Sequence, residues 1–170
     1  ANTWTTKASR PTAGYGPVAA AVGGKVYALG GYNGSNRNHN EEYDPATNTW
    51  TSKTSMPTPR HLLIAAAVGG KIYAVGGHNG GGLNVNEEYD PGTNAWTTKA
   101  VMPTPRYFLA GGVVGGKIYA IGGQGGLNTN EEYDPGANTW TTRVAMLTSR
   151  DRLSVAAAGG KIYVLGGDAG

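Results

Sequence analysis

The chain has 170 residues, no cysteine and a formal charge of +3. Without cysteine, neither a disulfide framework nor a thiolate zinc site can form. The surplus charge sits partly on lysines spread through the chain, Lys25, Lys71, Lys117 and Lys161. A nucleic-acid partner generally needs a concentrated basic patch instead. Neither a signal peptide nor a membrane span is visible.

In chain order, "ANTW" at Ala1 to Trp4 repeats Ala137 to Trp140 letter for letter. Residues 1–8 are therefore expected to be a leading strand, of the kind that ends each later unit. The first full unit, 14–54, opens with "VAAAV", apolar on both faces and built from small residues, which reads as a buried inner strand A. "GGKVYALGG" follows, an alternating run between glycine pairs and so a short strand B bounded by turns. A polar loop leads to "NEEYD", strand C. "DPATN" then puts proline at the first central position of a type I turn. "TWTSK", β-branched and aromatic, is strand D. The units at 60–100 and 106–144 repeat this order, and 150–170 carries strands A and B only.

One unit is being copied. The tryptophans Trp4, Trp50, Trp96 and Trp140 fall 46, 46 and 44 residues apart. The glycine pairs before Tyr32, His78, Gln124 and Asp168 keep the same beat. No window carries a helical period, and the 29 glycines mark frequent turns and close backbone approach. A four-stranded unit of 44 to 46 residues fits a propeller blade better than a sandwich. Small residues in strand A fit a strand that converges on the propeller axis.

The double glycine, the tyrosine of "YDP", the tryptophan about seven residues later and "MPTPR" leading into the next inner strand together resemble the kelch-repeat family. The resemblance covers essentially the whole chain, and several linked positions recurring in register make it specific. It implies an all-β propeller, here about 3.7 blades. Kelch propellers usually close with six or seven blades, so the expectation is an incomplete ring. That ring is either a fragment of a larger one or a chain completed by self-association through open blade edges. The abundance of Asn, Thr and Gly resembles bacterial secreted members, which implies an extracellular or periplasmic setting.

Positions identical in every unit serve the blade, whereas positions that differ are free to make a site. Tyr27, Tyr73, Tyr119 and Tyr163, like the tryptophans, are expected to pack between blades. The glutamate pairs of "NEEYD" recur in three units, so one glutamate of each pair is expected to serve the scaffold and its neighbour to be solvated. Neither is nominated for acid–base chemistry. Two columns change from blade to blade. The residue after each glycine pair is Tyr32, His78, Gln124 or Asp168, and the residue opening the strand A segment is Tyr15, His61, Tyr107 or Asp151. Arg60, Arg106 and Arg150 precede the second column, with Gly14 in the first unit. In the kelch family such positions lie near the mouth of one face, which implies an arginine-ringed pocket. Planar guanidinium forks there would suit carboxylates of acidic peptides or acidic sugars. The alternative is that each arginine pins a neighbouring blade's backbone.

His39 and Glu41 share a strand face, but His39 aligns with Val85 and Thr129, so no metal site is expected. His61 and His78 belong to one blade and to both mouth columns. They could act as an acid–base pair or as ligands, or simply form hydrogen bonds, and no third ligand accompanies them. Each "GGK" is followed by Ile or Val instead of the Ser or Thr of a phosphate loop, and "GxSxG" is absent. No cofactor is expected. Asn33-Gly34-Ser35 is a formal glycosylation sequon.

Two function classes follow. The first is a non-catalytic module recognising a protein, peptide or glycan at the mouth. The alternative is a piece of a kelch-type carbohydrate enzyme. Copper oxidases of the galactose oxidase type are disfavoured, because they use a tyrosine crosslinked to cysteine. A sialic acid epimerase-like site would have to draw on Arg60, Arg106, His61 and Asp151.

Overall fold

A computed structural model describes residues 2–124 and 127–169; Ala1, Gly125, Gly126 and Gly170, including the outer ends of the 1–8 and 150–170 segments, lie outside them. Every described element is a strand. Blade 1 comprises β1 (Val18–Val22), β2 (Lys25–Leu29), β3 (Asn40–Asp44) and β4 (Thr49–Ser52). Blade 2 comprises β5 (Ile64–Val68), β6 (Lys71–Val75), β7 (Asn86–Asp90) and β8 (Ala95–Thr98). Blade 3 comprises β9 (Ala110–Val114), β10 (Lys117–Ile121), β11 (Asn130–Asp134) and β12 (Thr139–Thr142). β13 (Ser154–Ala158) and β14 (Lys161–Leu165) make a final hairpin. Each blade is an antiparallel meander in sequence order. The inner strands β1, β5, β9 and β13 neighbour one another in that order around the axis.

The period-2 pattern of each B strand is used on both faces, because a blade sits between two others. Ile72 and Ala74 pack against Tyr27, Leu29 and Met56 of blade 1. Tyr73 and Val75, on the opposite face, pack against Leu109, Ile118 and Tyr133 of blade 3. The core is therefore spread between blades, as in other repeat architectures. Convergence at the axis sets a size limit on the inner strands. At Gly111 a Cβ would run into the Cγ2 of Ile64 from blade 2, and at Gly112 it would meet Val155 of β13 at 3.0 Å.

Each blade is also clamped to the strand D exit of the blade before it. Asn94 adopts a left-handed backbone, φ +52°. This is a conformation that asparagine tolerates better than most residues. Its Oδ1 accepts from Tyr89 Oη at 2.8 Å and from the Thr54 backbone N–H at 3.0 Å. Trp96 Nε1 donates to the carbonyl of the same Thr54 at 2.8 Å. Asn138 and Trp140 hold Ala100 in the same way, and Asn48 and Trp50 hold Ala8. The tryptophans thus act as cross-blade hydrogen-bond donors on top of their stacking against Tyr43, Tyr89 and Tyr133.

The leading segment departs from expectation. Residues 2–10 form no strand, and Trp4 is fully exposed. In the three blades strand D pairs with strand C, and the described residues place no strand C beside this segment. It is tied to blade 1 through the clamp at Ala8 and through Arg10.

Replacing Gly111 with valine should destabilise the protein by about 1–3 kcal/mol through overpacking against Ile64. Urea denaturation should show a lower midpoint, and combining Gly111→Val with Ile64→Ala should cost less than the two single losses together.

Candidate functional site

The arginines of "PTPR" turn inward. Arg60 and Arg106 are completely buried. Arg60 Nη1 bonds Glu87 Oε2 at 2.5 Å and the Thr58 carbonyl at 2.9 Å, while Nη2 bonds the Ala74 carbonyl at 2.9 Å. Arg106 Nη2 bonds the Ala120 carbonyl at 2.8 Å. Its Nη1 lies 2.9 Å from Glu131 Oε2, close enough for an ion pair but without hydrogen-bond alignment. Burial lowers both guanidinium pKa values, and the facing carboxylates oppose that shift. The implied arginine-ringed pocket is therefore corrected at these two positions: both side chains are fully buried and face carboxylates and carbonyls inside the blade. The backbone-pinning alternative describes them better, although the carbonyls their side chains hold belong to their own blade. Arg150 is partly exposed and bonds the Gly166 carbonyl at 2.7 Å.

Blade 1 reaches the same result from a different residue. Gly14 stands where the arginine would be, and Arg10, at the place of Met56 and Met102, bonds Glu41 instead and also reaches the Gly30 carbonyl at 3.2 Å. Thr12, Thr58 and Thr104 each donate to the same glutamate of their blade at 2.7 Å. The sequence carried this signal, because one unit gains an arginine four residues before the one it lacks.

The second glutamates are not solvated. Glu88 accepts from Tyr73 Oη at 2.6 Å and pairs with Lys71 and Lys99, and Glu132 takes both arms of Arg143. A phenol buried between blades needs an acceptor, and the directly opposed glutamate supplies it. Burial, with the Glu88 bond, holds the Tyr73 phenol far above its ordinary pKa.

The two variable columns do meet. Each lies at the mouth end of a blade, where strand A begins and strand B ends, and backbone bridges join Tyr15 to Tyr32, His61 to His78 and Asp151 to Asp168. Gln124 N–H donates to the Tyr107 carbonyl at 2.8 Å. Arg60 fixes this arrangement through its main chain: the Gly31 N–H donates to the Arg60 carbonyl at 3.1 Å, and a Cβ on Gly30 would collide with that carbonyl.

Side chains of these columns form one aromatic strip. Ring centroids lie 5.3 Å apart for Tyr15–Tyr32, 5.3 Å for Tyr32–His61, 5.2 Å for His61–His78, 4.7 Å for His78–Tyr107 and 5.2 Å for Tyr107–Phe108. The strip ends at Arg152, whose guanidinium lies 4.2 Å over the Phe108 ring and bonds Asp168 at 2.9 Å. Tyr15 is 61% exposed, Tyr32, His78 and Tyr107 are half-buried, and His61 is buried at 6%. His39 lies outside the strip, just before β3, and among the described residues no group of three or more His, Cys, Asp or Glu could hold a metal.

A third column escaped sequence reasoning. Leu62, Phe108 and Arg152 have φ of +56°, +54° and +51°, and Gly16 at the equivalent place has +66°. Glycine adopts this turn freely, whereas a bulky side chain there costs about 1–3 kcal/mol. The signal was present as a change from Gly to Leu, Phe and Arg between units. A cavity of about 320 Å3 lies elsewhere, between blade 3 and β14, lined by Tyr119, Ile121, Met146, Ile162 and Val164. These are core-type positions, so it is an unfilled part of an inter-blade core.

Four-stranded meanders packed face to face around an axis, with variable residues gathered at one mouth, define a propeller of the kelch type. A family model described as the KLHDC2/KLHL20/DRC7 Kelch-repeats domain matches residues 1–167, and the chain belongs to the kelch-repeat family. A search of curated proteins finds no match.

Removing the inner arginine tests its role as a structural element. Arg60→Ala leaves Glu87 buried and uncompensated, and should cost about 3–5 kcal/mol. Arg60→Ala with Glu87→Ala should cost less than the sum of the single losses in a denaturant series. Acid stability tests the histidine environment. Burial, then the neighbouring His78, lowers the His61 pKa from its ordinary 6.5. The unfolded chain therefore binds the proton first, so this contribution is complete above about pH 6.5 and is lost as pH falls through the folded value. The melting temperature should drop between pH 7 and 5, and less steeply in His61→Gln.

Proposed function

We propose that the protein is a non-catalytic interaction module that holds a protein or peptide segment across the mouth of its propeller. Kelch-repeat domains are propeller modules of protein interaction. What supports the mouth as the binding face is the strip from Tyr15 to Phe108. It runs along columns that change from blade to blade while the rest of the unit repeats. Half-exposed tyrosines on a rigid sheet scaffold supply large contact area at low entropic cost. The strained backbone at Leu62, Phe108 and Arg152 points the same way, since such outliers gather at ligand sites. Gln124, Arg150, Asp151 and Asp168 form the polar rim of this reading.

The epimerase-like alternative loses its carboxylate clamp, because Arg60 and Arg106 are spent on Glu87 and Glu131. The same burial argues against acidic sugars held by an arginine ring.

Selection from a random peptide library displayed on phage tests the proposal. Enriched peptides should bind saturably, and Tyr15→Ala or Tyr107→Ala should weaken them at least about tenfold, as for hot-spot aromatics. Thr51→Ala, in the outer strand β4, should leave affinity unchanged. Peptides insensitive to both mouth substitutions, or saturable binding confined to a glycan array, would overturn it.

A further inference from the structure

The bridged mouth pairs of blade 2 and of the β13–β14 hairpin are alike in one respect: each brings together two side chains able to carry the same charge, His61 with His78 and Asp151 with Asp168. At the hairpin the conflict is met within the chain. Arg152 inserts an opposite charge, 2.9 Å from Asp168 and 3.4 Å from Asp151. The equivalent residue beside the histidines is Leu62, which can compensate nothing.

All other neighbours of the histidines are neutral or already engaged. His61 faces Tyr15 and Tyr32 from blade 1, and its Nδ1 lies 2.7 Å from Asn36 Oδ1. Because Asn36 Nδ2 donates to Asn79 Oδ1 at 2.8 Å, Asn36 Oδ1 is the acceptor and His61 Nδ1 carries the proton. Neutral His61 therefore keeps Nε2 as a lone pair. His78 faces His61 and Tyr107, and its Nδ1 is buried without a partner. Arg37, on the loop carrying Asn36, bonds the Asn33 carbonyl. Arg60 and Arg106, next in sequence to His61 and Tyr107, are paired with Glu87 and Glu131. Asp151 and Asp168 are engaged by Arg152.

We infer that the His61–His78 pair is an acid-dependent site for a carboxylate, completed by an anion from outside. Protonation turns His61 Nε2 into a donor, with the His78 ring 5.2 Å away. A carboxylate accepts from that N–H and offsets its charge, which Leu62 cannot do. The inference rests on the mouth being the binding face and adds the partner chemistry there: a segment carrying Asp, Glu or a terminal carboxylate, held more tightly as pH falls.

The test uses acetate as the probe, against chloride at equal ionic strength, and follows the ring C–H resonances of the three histidines by NMR. At pH 5.5 acetate should perturb His61 and His78 saturably while His39 stays still, and its affinity should be at least tenfold weaker at pH 7.5. His61→Gln and His78→Gln should each abolish saturation, with dispersed Trp indole resonances showing that the fold persists. Perturbation that is linear in acetate, equal at both pH values or retained in the glutamine variants would overturn the inference. Library peptides lost on Tyr107→Ala would still stand in that case, so failure here is distinguishable from failure of the mouth as binding face.

Discussion

The buried arginine–glutamate pair inside each blade is the interaction on which the mouth depends. An unpaired charge in such a place would cost several kcal/mol. Arg60, Arg106 and, from its displaced position, Arg10 must therefore reach Glu87, Glu131 and Glu41. Once Arg60 is so held, its backbone is fixed, and the Gly31 amide of the preceding blade docks on its carbonyl. The next residue, His61, then has no freedom in where it enters the mouth. Scaffold and site are thus coupled by chain adjacency. In blades 2 and 3 the residue that locks the blade is followed immediately by the residue that varies.

The opposite end of the blade is locked by neutral groups. Asn94 and Trp96 hold the backbone N–H and C=O of Thr54, and each clamp needs a left-handed asparagine whose side chain also accepts from the tyrosine hydroxyl. Charged pairing near the mouth and amide pairing at the outer turn leave the space between blades to apolar side chains. That division explains why Tyr73 and Val75 can be buried on one face of a strand while Ile72 and Ala74 are buried on the other.

The departures from the repeat gather at the mouth. A mouth lined by Tyr, His, Tyr and Asp in successive blades presents aromatic surface over most of its length and a charged end at Arg152, Asp151 and Asp168. Arg60 and Arg106, which the chemistry of guanidinium made attractive as ligand donors, are instead buried against glutamates of their own blades.

The repeat, the strand order and the columns that converge at the mouth were legible in the sequence, because each follows from spacing and residue size: glycine pairs bound the strands, and small residues mark the axis. Direction was not legible. Whether an arginine beside the mouth points to solvent or into the blade depends on whether a buried carboxylate waits within reach, and Glu87 comes from a strand 27 residues further on. The fate of the second glutamates depended in the same way on phenols facing them across the sheet. The sequence by itself determined what repeats and which positions are free to vary. Only the tertiary structure decided which charges are satisfied internally, since that depends on distances between residues far apart in the chain.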